Sequence, residues 1–217
     1  MTNCRTCCQC EGIERLFGKQ EAMYKLHVYL RRGPAWTTRL LLDALRAEGV
    51  DGASLLDIGS GVGVIPLELL SAGLRSATDV DASGEYIAVA RAETQRRGYD
   101  GRITYHHGNF VELAPEIEPA DVVTLDRVVC CYHDMPALVG ASAAKAQRLY
   151  GLVYPRDDWW TRSFSAIENA MFRMRRHPYR SFVHSTALVD ATVRRAGLER
   201  RSLRRNAFWQ VVVYTRP

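Results

Sequence analysis

The chain has no apolar run long enough to span a bilayer, so no transmembrane helix is expected. Its opening, MTNCRTCCQC, lacks the apolar stretch of a secretory signal, and a cytoplasmic location is therefore expected. No internal repeat and no low-complexity tract is visible, so neither a repeat architecture nor a linker protein is expected. The paired CxxC…CxxC layout of a zinc site is also missing. Four of the six cysteines crowd into positions 4–10, and metal ligation by all four would need a strained wrap. No resident metal is expected. Thiols in the cytoplasm are usually reduced, which leaves reactivity or burial, rather than disulfides, as the use of the cysteines.

The 217 residues are 47% hydrophobic and 24% charged, a balance that suits one globular domain of the larger sort, 1–217. The formal net charge is +5, and from Arg148 onward arginine outweighs acid, as in RMRRHPYR and VRRAGLERRSLRR. Charge alone leaves two readings open: a solvated face, or a site for an anionic partner.

Residues 12–32 have helical amphipathic spacing, stopped by Gly33-Pro34, and 36–48 repeat it before Gly49. ASLLDIG (53–59) is a short apolar run stopped by glycine and is read as a buried strand. VIPLELLSAG follows as a helix with Pro66 in its first turn. SATDVD is the next strand, and Ser83 caps the helix after it. RITYHHGNF and ADVVTLD are strands, MPALVGASAAKAQ a helix, and LYGLVYP a fifth strand. Helical spacing returns over 157–177 and in TALVDATVRRAGL, and the chain ends as two strands. Alternating strands and helices imply a parallel sheet covered on both faces. The expected fold is α/β: a Rossmann-like, doubly wound, seven-stranded sheet, mostly parallel with an antiparallel C-terminal hairpin. The expected organisation is a helical cap (1–50), a cofactor-binding core (51–156), a helical insertion over the substrate side (157–184), and a last helix with the terminal strands (185–217). Ligands in such sheets bind at the carboxyl ends of the strands.

The strongest motif is LLDIGSGVG, Leu55 to Gly63: a strand, Asp57, three alternating glycines, then a helix. The glycines let the backbone turn tightly and approach a ligand. A dinucleotide fingerprint would be GxGxxG, but here Val64 stands at the last glycine position. An acidic residue before the first glycine also suits a cationic ligand better than a pyrophosphate.

On these residues the chain resembles the class I S-adenosylmethionine-dependent methyltransferases from Ala53 onward. The resemblance implies that Asp57, Gly59, Ser60 and Gly61 line the methionine part of the cofactor. Asp81, ending DVDAS with Ala82 beside it, matches the acid that accepts both ribose hydroxyls. Asn109 takes the place of the family's usual Asp after the third strand and would meet the adenine amino group, with Phe110 in apolar contact. TLDRVVCCY matches the region facing the methyl acceptor, and puts Asp126 and Arg127 at the cofactor. Arg31, Arg32 and Arg127 are candidates to pair with its carboxylate.

The Asn/Asp-Pro-Pro-aromatic turn of amino-methylating nucleic-acid enzymes is missing after the fourth strand, and no proline precedes Cys130 or Cys131. The expected partner is therefore a small molecule, anionic or aromatic, rather than nucleic acid; oligomeric state is left open. CEGIERLF and the insertion YPRDDWWTRSFSAIENAMFRMRRHPYRSF resemble segments of the magnesium-protoporphyrin O-methyltransferases. An oxygen acceptor, carboxylate or hydroxyl, is expected. A carboxylate needs no base, whereas a hydroxyl benefits from one. His133, with Tyr132 beside it, is the first candidate for that role and His184 the second. Trp159 is a candidate roof over an aromatic substrate. Cys7 and Cys8 are expected to meet Cys130 and Cys131 on the acceptor side. Two alternatives stand beside this reading: a thiol or metalloid acceptor held by these cysteines, and a non-catalytic S-adenosylmethionine-binding or thiol redox-sensing protein.

Overall fold

A computed structural model describes residues 8–217, with side chains described from Gly12 onward. Three helices come first: α1 (Cys8–Leu16), α2 (Lys19–Arg32) and α3 (Trp36–Ala47). Strands and helices then alternate: β1 (Ser54–Ile58), α4 (Val64–Leu70), β2 (Ser76–Asp81), α5 (Gly84–Arg96), β3 (Ile103–His107), the one-turn α6 (Phe110–Leu113), β4 (Ala120–Asp126), α7 (Met135–Lys145) and β5 (Ala146–Pro155). The chain continues through α8 (Trp159–Met174) and α9 (Thr186–Arg195) and closes with β6 (Glu199–Arg205) and β7 (Trp209–Thr215). The seven strands form one sheet in the order β3-β2-β1-β4-β5-β7-β6. The first five are parallel, and β7 runs antiparallel to both β5 and β6. This is the Rossmann-like sheet expected from the sequence.

Each face of the sheet is covered by an apolar layer. On one face Leu41, Leu42 and Leu45 of α3 and Ile65 and Leu69 of α4 pack against Leu55, Val122, Val153 and Val213. On the other, Leu138 and Val139 of α7 and Val189 and Val193 of α9 pack against Leu56, Val123, Leu152 and Val212. Alternate residues of β1 and β4 therefore feed opposite layers, which is why these strands read as continuous apolar runs. Each fully buried leucine contributes roughly 1.5–3 kcal/mol.

Some boundaries differ from the sequence reading, each for a local reason. The expected single helix over 12–32 is two helices. The break falls at Phe17-Gly18, where Gly18 is extended at φ −79°, ψ −179°. The Phe17 ring packs against Tyr86 and Tyr179, with centroids 5.7 and 6.1 Å away, and its carbonyl accepts a hydrogen bond from Ser83 Oγ at 2.8 Å. These tertiary contacts outweigh continuation of the helix. The third strand stops at His107 rather than running on to Phe110, because Asn109 turns the chain and its Oδ1 caps the N–H of Val111 at 3.1 Å. β5 begins at Ala146, inside what reads as the preceding helix, and pairs there with Ala120.

α8 lies on the surface. Its inner side is pinned through Ser165 and Asn169 to Ser181 and through Phe172 to Tyr179. Its outer side carries Phe164, Ile167, Met171 and Met174, all exposed. Among the described residues no helix is long and apolar enough to cross a membrane.

Candidate functional site

The strand order reverses between β1 and β4, and a cavity of about 740 Å³ opens at the carboxyl ends of these strands. Its floor is the turn Gly59–Gly63. Gly59 has φ +67°, and a Cβ added there would overlap a methyl of Val128. Only glycine satisfies both the left-handed backbone and that close approach.

Asp57 sits directly beneath this turn and is 1% exposed. Its Oδ1 accepts a 2.6 Å hydrogen bond from Thr124 Oγ1, while Oδ2 has no hydrogen-bond partner. Burial, and the negative charge of Asp79, Asp126 and Asp81, push its carboxyl well above the usual range. A cation in the cavity would offset both effects by stabilising the ionised carboxylate. Asp81 ends the neighbouring strand. Its Oδ2 accepts from the Gly61 N–H at 2.9 Å and its Oδ1 from the Ser83 N–H at 2.8 Å. One carboxylate thus ties the glycine turn to the start of α5. Burial raises it to about 6, against the lowering effect of those N–H groups.

Asn109 and Phe110 form the next part of the wall. The Asn109 amide oxygen is already capping α6, and its Nδ2 donates to Glu112 Oε1 at 3.0 Å and to the Tyr132 hydroxyl at 3.2 Å. This side chain therefore braces the wall as well as facing the cavity.

β4 delivers Asp126 and Arg127. Thr38 Oγ1 donates to Asp126 Oδ2 at 2.5 Å, and Arg127 Nε donates to Asp126 Oδ1 at 3.0 Å. Arg127 has φ +62°, a left-handed conformation costing an L-residue about 1–3 kcal/mol, held here by its N–H bond to Val153 O at 2.9 Å. Strain of this kind persists where the side chain must face a site. A 3-10 turn, Val129–Cys131, follows. Cys130 and Cys131 both line the cavity, and Cys131 Sγ lies 3.2 Å from the Tyr179 hydroxyl. The segment after α8 is pinned to this turn by Phe182 N–H to Cys130 O at 2.8 Å and by His184 Nε2 against Tyr132 O at 2.9 Å. Leu16, Phe17, Lys25, Tyr29 and Arg32 from α1, α2 and the link between them also line the cavity.

Asp57, Gly59, Ser60, Gly61, Asp81, Ala82, Asn109, Phe110, Asp126 and Arg127, all expected at the cofactor, line this one cavity, as do Arg32, Tyr132, Cys130 and Cys131. Four expected residues do not. Arg31, a candidate for the cofactor's carboxylate, is exposed on α2 and is not part of the lining. His133 is exposed and stacks on Tyr132, with centroids 5.3 Å apart. His184 is turned onto the Tyr132 carbonyl, and burial lowers its ring below the usual histidine range. Trp159 is 80% exposed at the start of α8 and is not part of the cavity lining. Helical spacing in the insertion signals amphipathicity, but not which face turns inward. Cys7, and the side chain of Cys8, lie outside the described residues.

The sequence reading did not anticipate Tyr179, Thr38 or Phe17. Gly12 of α1 packs so tightly on Tyr179 that a Cβ there would lie 2.6 Å from the Tyr179 nitrogen. No periodic signal marks a contact made between two irregular or terminal segments. Asp79 was equally hidden: it is fully buried beside Asp57, with no hydrogen-bond partner on either oxygen.

Comparison with known proteins bears on the fold and on part of the chain. Residues 55–149, under half of the chain, match a family model described as a methyltransferase domain. Ribosomal protein L11 methyltransferase of Enterobacter sp. (strain 638) is 31% identical over 103 residues, covering 48% of this chain and 34% of that protein. The chain thus spans about a third of the length of this relative. Magnesium protoporphyrin IX methyltransferase of Synechocystis PCC 6803, solved with bound SAH, superposes with a TM-score of 0.73 at 16% identity, covering 96% of this chain and 100% of that one. An O-methyltransferase family protein from Burkholderia thailandensis gives 0.67 at 19% identity, covering 91% and 60%. At such identities the likeness is one of fold.

Proposed function

From a chain that carries a methyltransferase domain of the class I fold, we propose an enzyme that transfers a methyl group from S-adenosylmethionine to a small-molecule acceptor. The observation that carries this reading is Asp57: a buried carboxyl with one unpartnered oxygen under the glycine turn, among other acids. That spot is electrostatically incomplete without a cation, and the cofactor brings an ammonium and a sulfonium. The residues present fit it. Asp57 would hold the ammonium, the amides of the Gly59–Gly61 turn would meet the methionine part, and Asp81 would accept from the ribose hydroxyls with lone pairs not used by Gly61 and Ser83. Phe110 would give apolar contact to the adenine. The bound cofactor supplies the methyl group, activated as a leaving sulfonium substituent.

The protein's own part is positioning and exclusion of water. Leu16, Phe17 and Tyr29, which line the cavity from the N-terminal helices, would shield the reacting atoms from bulk solvent. Lys25, Arg32 and Arg127 line the cavity alongside Glu168, with Lys25 paired to Glu21 and Arg127 to Asp126, and would be the groups to meet an anionic acceptor. Among the described residues lining the cavity there is no histidine. A carboxylate acceptor, already ionised at neutral pH, needs no such base, so we read oxygen, and carboxylate oxygen first, as the acceptor atom. A panel of carboxylates, phenols and thiols with isotopically labelled S-adenosylmethionine tests this. Label in carboxylate esters supports the reading, and label only in phenols or thiols contradicts the acceptor assignment.

A further inference from the structure

We propose that Cys130 and Cys131 form a two-thiol site for a trivalent organic arsenical, opening on the cavity. The two Sγ atoms are 3.9 Å apart, and both lie within hydrogen-bonding distance of the Arg127 carbonyl, at 3.3 and 3.4 Å. They therefore point to the same side of the 3-10 turn. Two sulfurs on one pyramidal soft centre, each bonded at about 2.3 Å, stand roughly 3.5 Å apart. The pair lies within about half an ångström of the spacing of a chelate. The Phe182 and His184 bonds to the carbonyls of Cys130 and Tyr132 fix the turn, so little ordering is left for the ligand to impose.

The two thiols are chemically unequal. Cys131 accepts support from Cys130 and from the Tyr179 hydroxyl, which lowers it below the usual thiol range, whereas Cys130 is pushed up by that same bond and by burial. One thiol attacks readily as thiolate and the other follows.

The number of donors selects the ligand. Among the described residues no group of three or more His, Cys, Asp or Glu could hold a metal ion, and zinc takes four ligands. A trivalent arsenic that already bears one carbon substituent needs only two sulfurs, and soft centres prefer thiolate. With phenylarsine oxide the step balances without oxidant or reductant. Two As–S bonds form, the arsenic–oxygen bonding is lost, and the two thiol protons leave with that oxygen as one water. This site does not rest on cofactor binding.

The test uses the full reduced chain with Cys4, Cys7, Cys8 and Cys10 replaced by serine, its fold checked by circular dichroism. Phenylarsine oxide at one equivalent is expected to give one retained adduct per chain by intact mass, reversed by a small dithiol. Retention should fall at least tenfold on adding Cys130→Ser or Cys131→Ser. A folded protein that retains no adduct, or retains it equally with Cys131→Ser, overturns the proposal. In the unsubstituted chain, the arsenical should shield Cys130 and Cys131 from iodoacetamide, read peptide by peptide; full alkylation of both in its presence also overturns it.

Discussion

Asp57 and Asp79 stand side by side on one face of the sheet, in register on β1 and β2, and both are buried. Thr124 and Tyr105 extend the same row on β4 and β3, so a polar line crosses four strands beneath the glycine turn. Thr124 satisfies one Asp57 oxygen, but Asp79 has no such partner, and Ser60, beside it, also has an unpartnered hydroxyl. Burial first, then the charge of Asp81, pushes Asp79 up to about 8.

Stability should therefore depend on pH through Asp79. Its folded value lies above the unfolded value of about 4, so the folded state holds the proton more tightly. The proton-linked stability is fully present below about pH 4 and is lost as pH rises toward about 8. Asp79→Asn removes that dependence. Melting temperatures should match near pH 4.5 and diverge in favour of Asp79→Asn by pH 8.5. Parallel curves across that range would show that Asp79 is ionised in the folded protein.

Asp81 holds the glycine turn through Gly61 and the start of α5 through Ser83. Asp81→Ala removes both acceptors and the charge. Binding of S-adenosylhomocysteine should weaken by about 10- to 100-fold, roughly 1.4–2.8 kcal/mol. Asp81→Asn, which keeps one acceptor, should fall between. Calorimetry on the three proteins gives the order, and unchanged affinity in Asp81→Ala removes Asp81 from the site.

At Gly59, alanine meets both a left-handed φ of +67° and the side chain of Val128. Gly59→Ala should destabilise by about 1–3 kcal/mol and cost most of the cofactor affinity. Adding Val128→Ala relieves the overlap but not the backbone strain. The double variant should recover part of the melting temperature and no more. Full recovery would mean the backbone conformation carries no cost.

The parallel sheet and the glycine turn were legible because they follow from local chemistry. Short apolar runs stopped by glycine specify strands buried on two faces, and Asp57 and Asp81 announce themselves at strand ends. What stayed hidden depends on contacts far apart in sequence. Phe17 breaks an apparent helix because Tyr86 and Tyr179 hold its ring, and Tyr179 reaches the cavity only because Gly12 and Cys131 meet it there. Trp159 and His133 lie outside the cavity lining; an aromatic or titratable residue near a motif says nothing of its side chain's direction.

Those two side chains make a direct check. Trp159 and His133 are both exposed and neither lines the cavity. Trp159→Ala and His133→Ala should leave S-adenosylhomocysteine affinity within about twofold of the parent, the range of surface substitutions. A tenfold loss in either would bring that side chain back to the site.

The most direct measurement is a calorimetric titration of the reduced protein with S-adenosylhomocysteine at pH 7.5. One site per chain with a dissociation constant in the micromolar range, about −8 kcal/mol, is expected. That heat should vanish in Asp57→Leu, which leaves the turn without its carboxyl, while circular dichroism shows the sheet intact. No binding by the folded parent protein up to about 1 mM, near −4 kcal/mol, would contradict the cofactor assignment outright.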